Sequence, residues 1–447
     1  MADLDALMGS LLAAAARAGA EAADAIAVAG ESLSIEVRDG ALEQAERAEG
    51  VEIGLRVLIG HRQACVSASD ISAGTITAMA ERAVAMAREA PEDRWCGLAA
   101  PSDLARDWDV AALELEDAAD GPTAAALEAA ARTAEAAALA VPGITRMDGS
   151  GASWTRNRIH LAASNGFSGG YARTGHGLYA TAICGDGLSM ERDYASEGRV
   201  HGADLPDPAE IGRLAGTRTI ARAGAGRPPT GAFPVLYDER VASGLVGHLL
   251  SAINGTAIAR GASWLKDALG TRVLPAGLDL VEDPLRPRIG GSRPFDAEGL
   301  PASRRVLVAD GILQGWTLDL ATARQLGLAS TGNAARGPSA PPSPAAGNVA
   351  LTQGPDSRAA LLAEMGTGLL VTGLIGATIN PNTGDYSRGA SGFWVERGEI
   401  VRPVNECTIA GNLRDMLRSL KPANDARPEL GRVVPSLLVE GLVIAGA

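Results

Sequence analysis

The stretch GAGRPPTG at Gly224–Gly231 limits this chain's folding more than any other. Three glycines and two prolines in eight residues prevent a helix or an inner strand from running through it. It marks residues 224–231 as a linker between a domain at 1–223 and a second at 232–447. A chain of 447 residues has length for two or three domains, and its 46% hydrophobic content is enough to give each a core.

The first part reads as α+β, with helices segregated onto an antiparallel sheet. Leu4, Leu7, Met8, Leu11 and Leu12 form the apolar stripe of a first helix. SLSIEVR alternates as a strand, Asp39-Gly40 turns it, and ALEQAER returns. A further strand over Val51–Ile59 turns at Gly60-His61 into RQACVSAS. Asp70 is the expected N-cap of a helix reaching about Glu89. Residues 91–122 read as irregular, and Thr123–Ala140 as an alanine-rich helix. The chain is strand-like again from Ile144 to about Val200, with turns at Asn165-Gly166 and Gly185-Asp186-Gly187. A helix near Pro208–Ala223 precedes the linker.

The second part reads as mostly β and barrel-like. It opens on AFPVLY and on a helix running from Asp238 to Asp267, whose turn closes at Gly255 and Gly261. RRVLVADGILQGWTL is a hairpin with a type I′ turn at Asp310-Gly311. Arg336–Asn348, RGPSAPPSPAAGN, is expected to be a mobile loop. VALTQGP, GLLVTGLIGAT and SGFWVERGEIVRPVNECTIAG complete a curled sheet.

Composition narrows the function classes. A net charge of −13 disfavours direct contact with nucleic acid, and 3% aromatics leave few base-stacking platforms. Cys65, Cys96, Cys184 and Cys407 show no CxxC spacing, which suits reduced thiols. The N-terminal segment lacks a basic region and no apolar run reaches about 18 residues, so neither a signal peptide nor a membrane span is expected. The expected compartment is the cytoplasm.

The candidate site residues are few. His248 sits mid-helix, but the i+4 position is Ala252 and its neighbours are Gly247 and Leu249. A catalytic zinc needs about three protein ligands, so His248 reads as a half-buried packing residue. His160, His176 and Cys184 lie in strands without ligand spacing, while His61 and His201 read as solvated turn residues. Asp296 and Glu298 form an acidic pair, read as an ordinary loop offset by Arg293, Arg304 and Arg305. Ile379–Gly392 contains neither a phosphate loop nor a GxSxG elbow. Its glycines around Asp385 and Arg388 are either turn residues or backbone exposed to an extended peptide.

The helix with AIARGASWLKD after it, together with SLSIEVRDGALEQAERAEGVEIGLRVLIGHRQACVSASD, ASTGNAARG and TGLIGATINPNTGDYSRGASGFWVERGEIVRPVNECTIAGNL, resembles the TldD/PmbA family, specifically its TldE (PmbA) branch. The resemblance covers nearly the whole chain. In the TldD branch this helix carries HExxxH, which with a distant cysteine holds the metal of a peptidase. Aligned on Gly261-Ala262-Ser263, the two histidines fall on Val246 and Ser251 and the glutamate on Gly247. The ending RVVPSLLVEGLVIAGA has no cysteine. The resemblance therefore implies no catalytic residue and no metal in this chain, with zinc in a TldD-type partner subunit. It implies a closed dimer around a cavity for unfolded peptide, with contacts from Arg260, Gly261, Ser263, Lys266, Asn380, Thr383, Gly384 and Asp385. Processing of microcin precursors or antitoxins is the implied activity of the complex, with an indirect link to DNA gyrase modulation. Two rival readings are a stand-alone homodimer that binds peptide or a small ligand without hydrolysis, and a metallopeptidase with an unrecognised metal site.

Overall fold

The computed structural model describes residues 3–446. It opens with α1 (Leu4–Ala18), capped by the Asp3 carboxylate, then β1 (Ala22–Arg38), β2 (Ala41–Ile59), β3 (Arg62–Ala68) and α2 (Ala73–Glu89). Next come α3 (Ala124–Leu139), β4 (Ile144–Ala163), β5 (Ser168–Cys184), β6 (Glu191–Arg199) and α4 (Pro208–Ala221). The six strands form one antiparallel sheet in the order β3-β2-β1-β4-β5-β6. ALEQAER and Val51–Ile59 are one unbroken 19-residue strand, because β1 pairs with it along its whole length. Asp39 and Gly40 both have positive φ, as a type I′ turn requires. Asp70 does not cap α2. Ser72 does, and Asp70 instead accepts from the Ser72 N–H at 2.9 Å.

Period-2 alternation decides which side of this sheet meets what. Ala23, Ala25 and Ala27 of β1, with Ile53, Leu55 and Val57 of β2, bury against α1 and α2. Further along the same face, Ile35 packs with Ala131, Ala134 and Ala138 of α3 and Ile211 and Ala215 of α4. The opposite face presents Ile26 and Leu161, which pack with Phe167 against Phe295 from the second half of the chain. The Phe167 and Phe295 rings meet edge-on at 5.0 Å, and Trp108 and Phe295 at 5.1 Å.

The second half begins with β7 (Gly231–Tyr237), α5 (Glu239–Ala252), α6 (Gly255–Ala259), β8 (Leu280–Glu282), β9 (Arg305–Ala309), β10 (Ile312–Leu313) and α7 (Leu320–Leu326). It continues through β11 (Ala334–Ala335), β12 (Ser343–Pro344), β13 (Val349–Leu351), α8 (Arg358–Met365), β14 (Gly368–Ile379), β15 (Asp385–Glu396) and β16 (Glu399–Asn412). It ends with α9 (Leu413–Ser419), β17 (Lys421–Pro422), β18 (Arg432–Val433) and β19 (Leu437–Ala445). The order β16-β15-β14-β7-β19 closes into a five-stranded barrel through pairing of β16 with β19. The expected α+β class with a barrel-like second half is the observed one. Val235, Tyr237, Leu369, Val371 and Val439 share a core with α5, while Leu236, Leu370 and Leu438 pack with α8. Among the described residues no helix is long and apolar enough to cross a membrane.

Two expectations are corrected here. The helix predicted to run to Asp267 stops at Ala252, because Asn254 caps α6 through its side chain and Gly261 then takes φ +67°. The Arg336–Asn348 segment is not loose. It pairs β11 with β12, buries Arg336 against Asp24, and seats Pro338 so close to Gly54 that a Cβ there would overlap its carbonyl. Proline and serine content signalled missing core formers, but the anchors are an arginine and backbone contacts.

Candidate functional site

α5 carries the positions that the resemblance sets against a metal helix. Val246 is buried in the barrel-side core. A Cβ on Gly247 would meet the Arg432 guanidinium at 3.1 Å, and the Ser251 hydroxyl donates to the Gly247 carbonyl at 2.9 Å. No imidazole, carboxylate or thiolate stands at these three places, so they do not fit zinc. His248 is half-buried and meets the ring of Tyr386 edge-on at 5.8 Å. Burial lowers its pKa, and the Arg388 charge lowers it further. Tyr386 and Tyr237 are both buried, neither hydroxyl has a hydrogen-bond partner among the described residues, and burial raises both phenols.

The two predicted contact segments converge. The Trp264 N–H donates to the Pro381 carbonyl at 2.7 Å, which ties the loop after α6 to the β14–β15 turn. Gly384, at φ +81°, lies under the Trp264 ring. The Arg414 Nε donates to the Trp264 carbonyl at 3.0 Å. Within this join Ser263 is buried and internal: its hydroxyl donates to the Ala252 carbonyl at 2.6 Å and accepts from the Leu265 N–H. The Asn380 side chain accepts from the Asn382 N–H at 3.0 Å. The Thr383 hydroxyl donates to Asp385 at 2.6 Å, and the Asn412 amide donates to the other Asp385 oxygen at 3.0 Å. These two bonds hold the Asp385 pKa below its ordinary value. Arg260, Gly261 and Lys266 are exposed at the rim. Beside them a cleft of about 380 Å³ runs between Trp264, Asp267, Thr271, Arg414 and Arg418. Asn412 and Arg414 were not identified from sequence, because their side chains reach partners that are distant along the chain and that no motif announces.

β15 is paired on both flanks, by β14 and by β16. Asp385–Gly392 is therefore inside a closed ladder and offers no edge for an added strand, while residues 380–384 form the turn before it.

The other candidates resolve differently. His160 pairs across the sheet from Gly170, His176 from Trp154 and Cys184 from Ile144, so the three stand apart along β4 and β5. His160 lies 3.2 Å from Asp5. His176 lies 3.5 Å from Asp117, with burial lowering its pKa. His201 is not a solvated turn residue: its Nε2 sits 2.9 Å from the Glu114 carbonyl and its ring also faces Asp117. His61 is exposed at its turn.

Asp296 and Glu298 are not an ordinary surface loop. Both are buried where the two halves of the chain meet. Asp296 accepts from the backbone N–H groups of Glu298, Leu300 and Ala334. Glu298 accepts from Leu320 N–H at 2.9 Å. Burial raises both carboxyls, and Glu298 is raised well above its ordinary range with Asp296 and Asp319 nearby. Asp24 accepts from Arg56 at 2.8 Å and also binds Arg336, which is why it stays ionised despite burial.

Family models describe three parts of such a chain: PmbA/TldA metallopeptidase domain 1 matches residues 23–87, the central domain 109–223 and the C-terminal domain 230–446. The chain belongs to the PmbA/TldD family. It is 36% identical over 416 residues to Metalloprotease PmbA of Escherichia coli O157:H7, covering 93% of this chain and 90% of that one. The crystal structure of a proposed modulator of DNA gyrase from Bacteroides thetaiotaomicron superposes with a TM-score of 0.91 at 25% identity, covering all of both chains. TldE from Thermococcus kodakarensis shares the fold, with a TM-score of 0.84 at 19% identity over 98% of this chain and all of that one. The chain is thus a metallopeptidase-like protein of the PmbA/TldE kind.

Proposed function

We propose that this chain is the non-catalytic subunit of a TldD/TldE-type protease, and that a TldD-type partner supplies zinc and the general base. The observation that supports this most is the filling of α5: Val246 is committed to the core, Gly247 is backed by Arg432, and the Ser251 hydroxyl is spent on its own helix. A side chain already bonded within its helix, a glycine and a buried valine cannot serve as ligand, base and ligand. On this reading the chain forms part of the wall of a peptide chamber, and the Trp264–Pro381 join positions Arg260, Lys266 and Asp385 on its rim. The substrates are unfolded peptides in the cytoplasm.

The test is a peptidase assay on an unfolded peptide with each chain alone and with both mixed. Activity is expected only in the mixture, together with a heterodimer in sedimentation. Zinc-dependent hydrolysis by this chain alone would overturn the assignment.

A further inference from the structure

Arg414 and Arg418 stand one turn apart on α9, so their guanidinium groups share a face of that helix. Like charges at this spacing oppose helix formation unless an opposite charge comes between them. Among the described residues no carboxylate does so. Asp415 precedes Arg418 by three residues and Asp267 lies on the wall of the same cleft, yet neither forms an ion pair with either arginine. Arg272, between Thr271 and Val273 of that wall, is already paired with Asp310 at 3.6 Å.

Both arginines are held from behind. Arg414 Nε donates to the Trp264 carbonyl at 3.0 Å, with Nη2 on the same oxygen, and Arg418 Nε donates to the Arg272 carbonyl at 3.2 Å. Among the described residues Arg414 Nη1 and both terminal nitrogens of Arg418 make no hydrogen bond. Their N–H groups remain for a ligand in the cleft of about 380 Å³ that the two side chains line. Guanidinium donors fixed in direction suit a planar oxyanion, and little side-chain freedom is left to lose on binding. The cleft is also backed by buried apolar residues, Trp264, Leu265 and Val273. Its charge is selective: two guanidiniums against the Asp267 carboxylate leave a single net positive charge. A monoanion neutralises that charge, while a dianion overshoots it and meets repulsion from Asp267.

We propose that this cleft takes the free α-carboxylate of a short peptide between Arg414 and Arg418, with the last side chain of the peptide against Trp264 and Val273. The proposal rests on the peptide-handling reading of the chain and adds a preference to it, for a free C-terminal end with an apolar last residue. Trp264 places the cleft beside the rim, since its N–H also joins the β14–β15 turn at Pro381.

The experiment is fluorescence anisotropy of the full chain with the peptide Ala-Ala-Ala-Leu, labelled at its N-terminus, at pH 7.5 and about 0.15 M salt. The same peptide as its C-terminal amide, a version ending in glycine, and unlabelled acetate and inorganic phosphate as competitors accompany it. The free acid is expected to bind, and the amide at least about tenfold more weakly, through loss of charge-assisted hydrogen bonds. The glycine-ended peptide should bind about fivefold more weakly. Acetate should compete better than phosphate, and Asp267→Asn should reverse that order. Arg418→Gln should bring the free acid down to the affinity of the amide; this exposed side chain holds the fold by one hydrogen bond only. Equal binding of acid and amide would overturn the proposal whatever the variants do. So would phosphate competing as well as acetate, or hydrogen-exchange protection by the peptide that falls outside residues 264–273 and 414–418. Peptidase activity of the mixed subunits separates the two ideas. Activity with equal binding of acid and amide sinks this proposal and leaves the subunit assignment standing. Selective carboxylate binding by a chain that never yields activity with a TldD-type partner supports the site and removes the assignment.

Discussion

Glu298 keeps a proton that an exposed glutamate would lose, because burial and the nearby Asp296 and Asp319 raise its pKa well above the ordinary 4.5. Above pH 4.5 the unfolded chain releases that proton and the native chain holds it. The contribution to stability is therefore complete below pH 4.5 and is lost as pH rises. Glu298→Gln removes the titration and keeps an acceptor for the Leu320 N–H. Scanning calorimetry should show its melting temperature rising relative to wild type at pH 8 by more than at pH 5; a drop at both would mean the charged form is needed. His248 has the opposite dependence. Its folded pKa is depressed, so below its ordinary 6.5 the unfolded state binds more protons and stability falls. His248→Gln should flatten the loss of stability between pH 7.5 and pH 5.5 in urea titrations. An unchanged slope would show that its burial does not govern its titration.

At the scale of elements, α3 and α4 pack through small residues. A Cβ at Gly212 of α4 would overlap the Ala134 carbonyl of α3, so Gly212→Ala is expected to cost roughly 2 kcal/mol by overpacking, measured by chemical denaturation. A neutral result would mean the helices can slide apart. Local chemistry made many elements legible. Asp39-Gly40 and Asp310-Gly311 announced their turns, and both pairs have the positive φ that the turn type demands. The barrel strands showed as apolar runs between turn residues. What stayed hidden depends on partners distant in sequence. Nothing near Arg336 points to Asp24, and nothing in RPFDAEGL tells that Asp296 and Glu298 are buried. Nor does the period-2 pattern of β15 reveal that both its edges are taken. The candidate site was half legible: the Gly261–Ser263 and Asn380–Asp385 segments do meet, but the sequence does not show that Ser263 is buried and bonded to the end of α5.

Across the whole molecule, one buried triad joins the two halves. Asp24 lies on β1, Arg56 on β2, and Arg336 comes from the far half and is fully buried. Removing one member of a buried ion pair strands the others, so Asp24→Asn should lower global stability by about 3–5 kcal/mol and loosen the Arg336–Asn348 segment. Limited proteolysis would reveal that loosening; an uncut segment with unchanged stability would show that the aromatic contacts of Phe295 suffice. The account as a whole depends on α5 being unable to grip a hydrolytic metal. The most direct check is the metal content of the purified chain after incubation with zinc and dialysis, read by mass spectrometry. The account predicts well under about one-tenth of an equivalent, since a catalytic site needs roughly three protein ligands. One full equivalent, lost on substituting side chains of this chain, would contradict it.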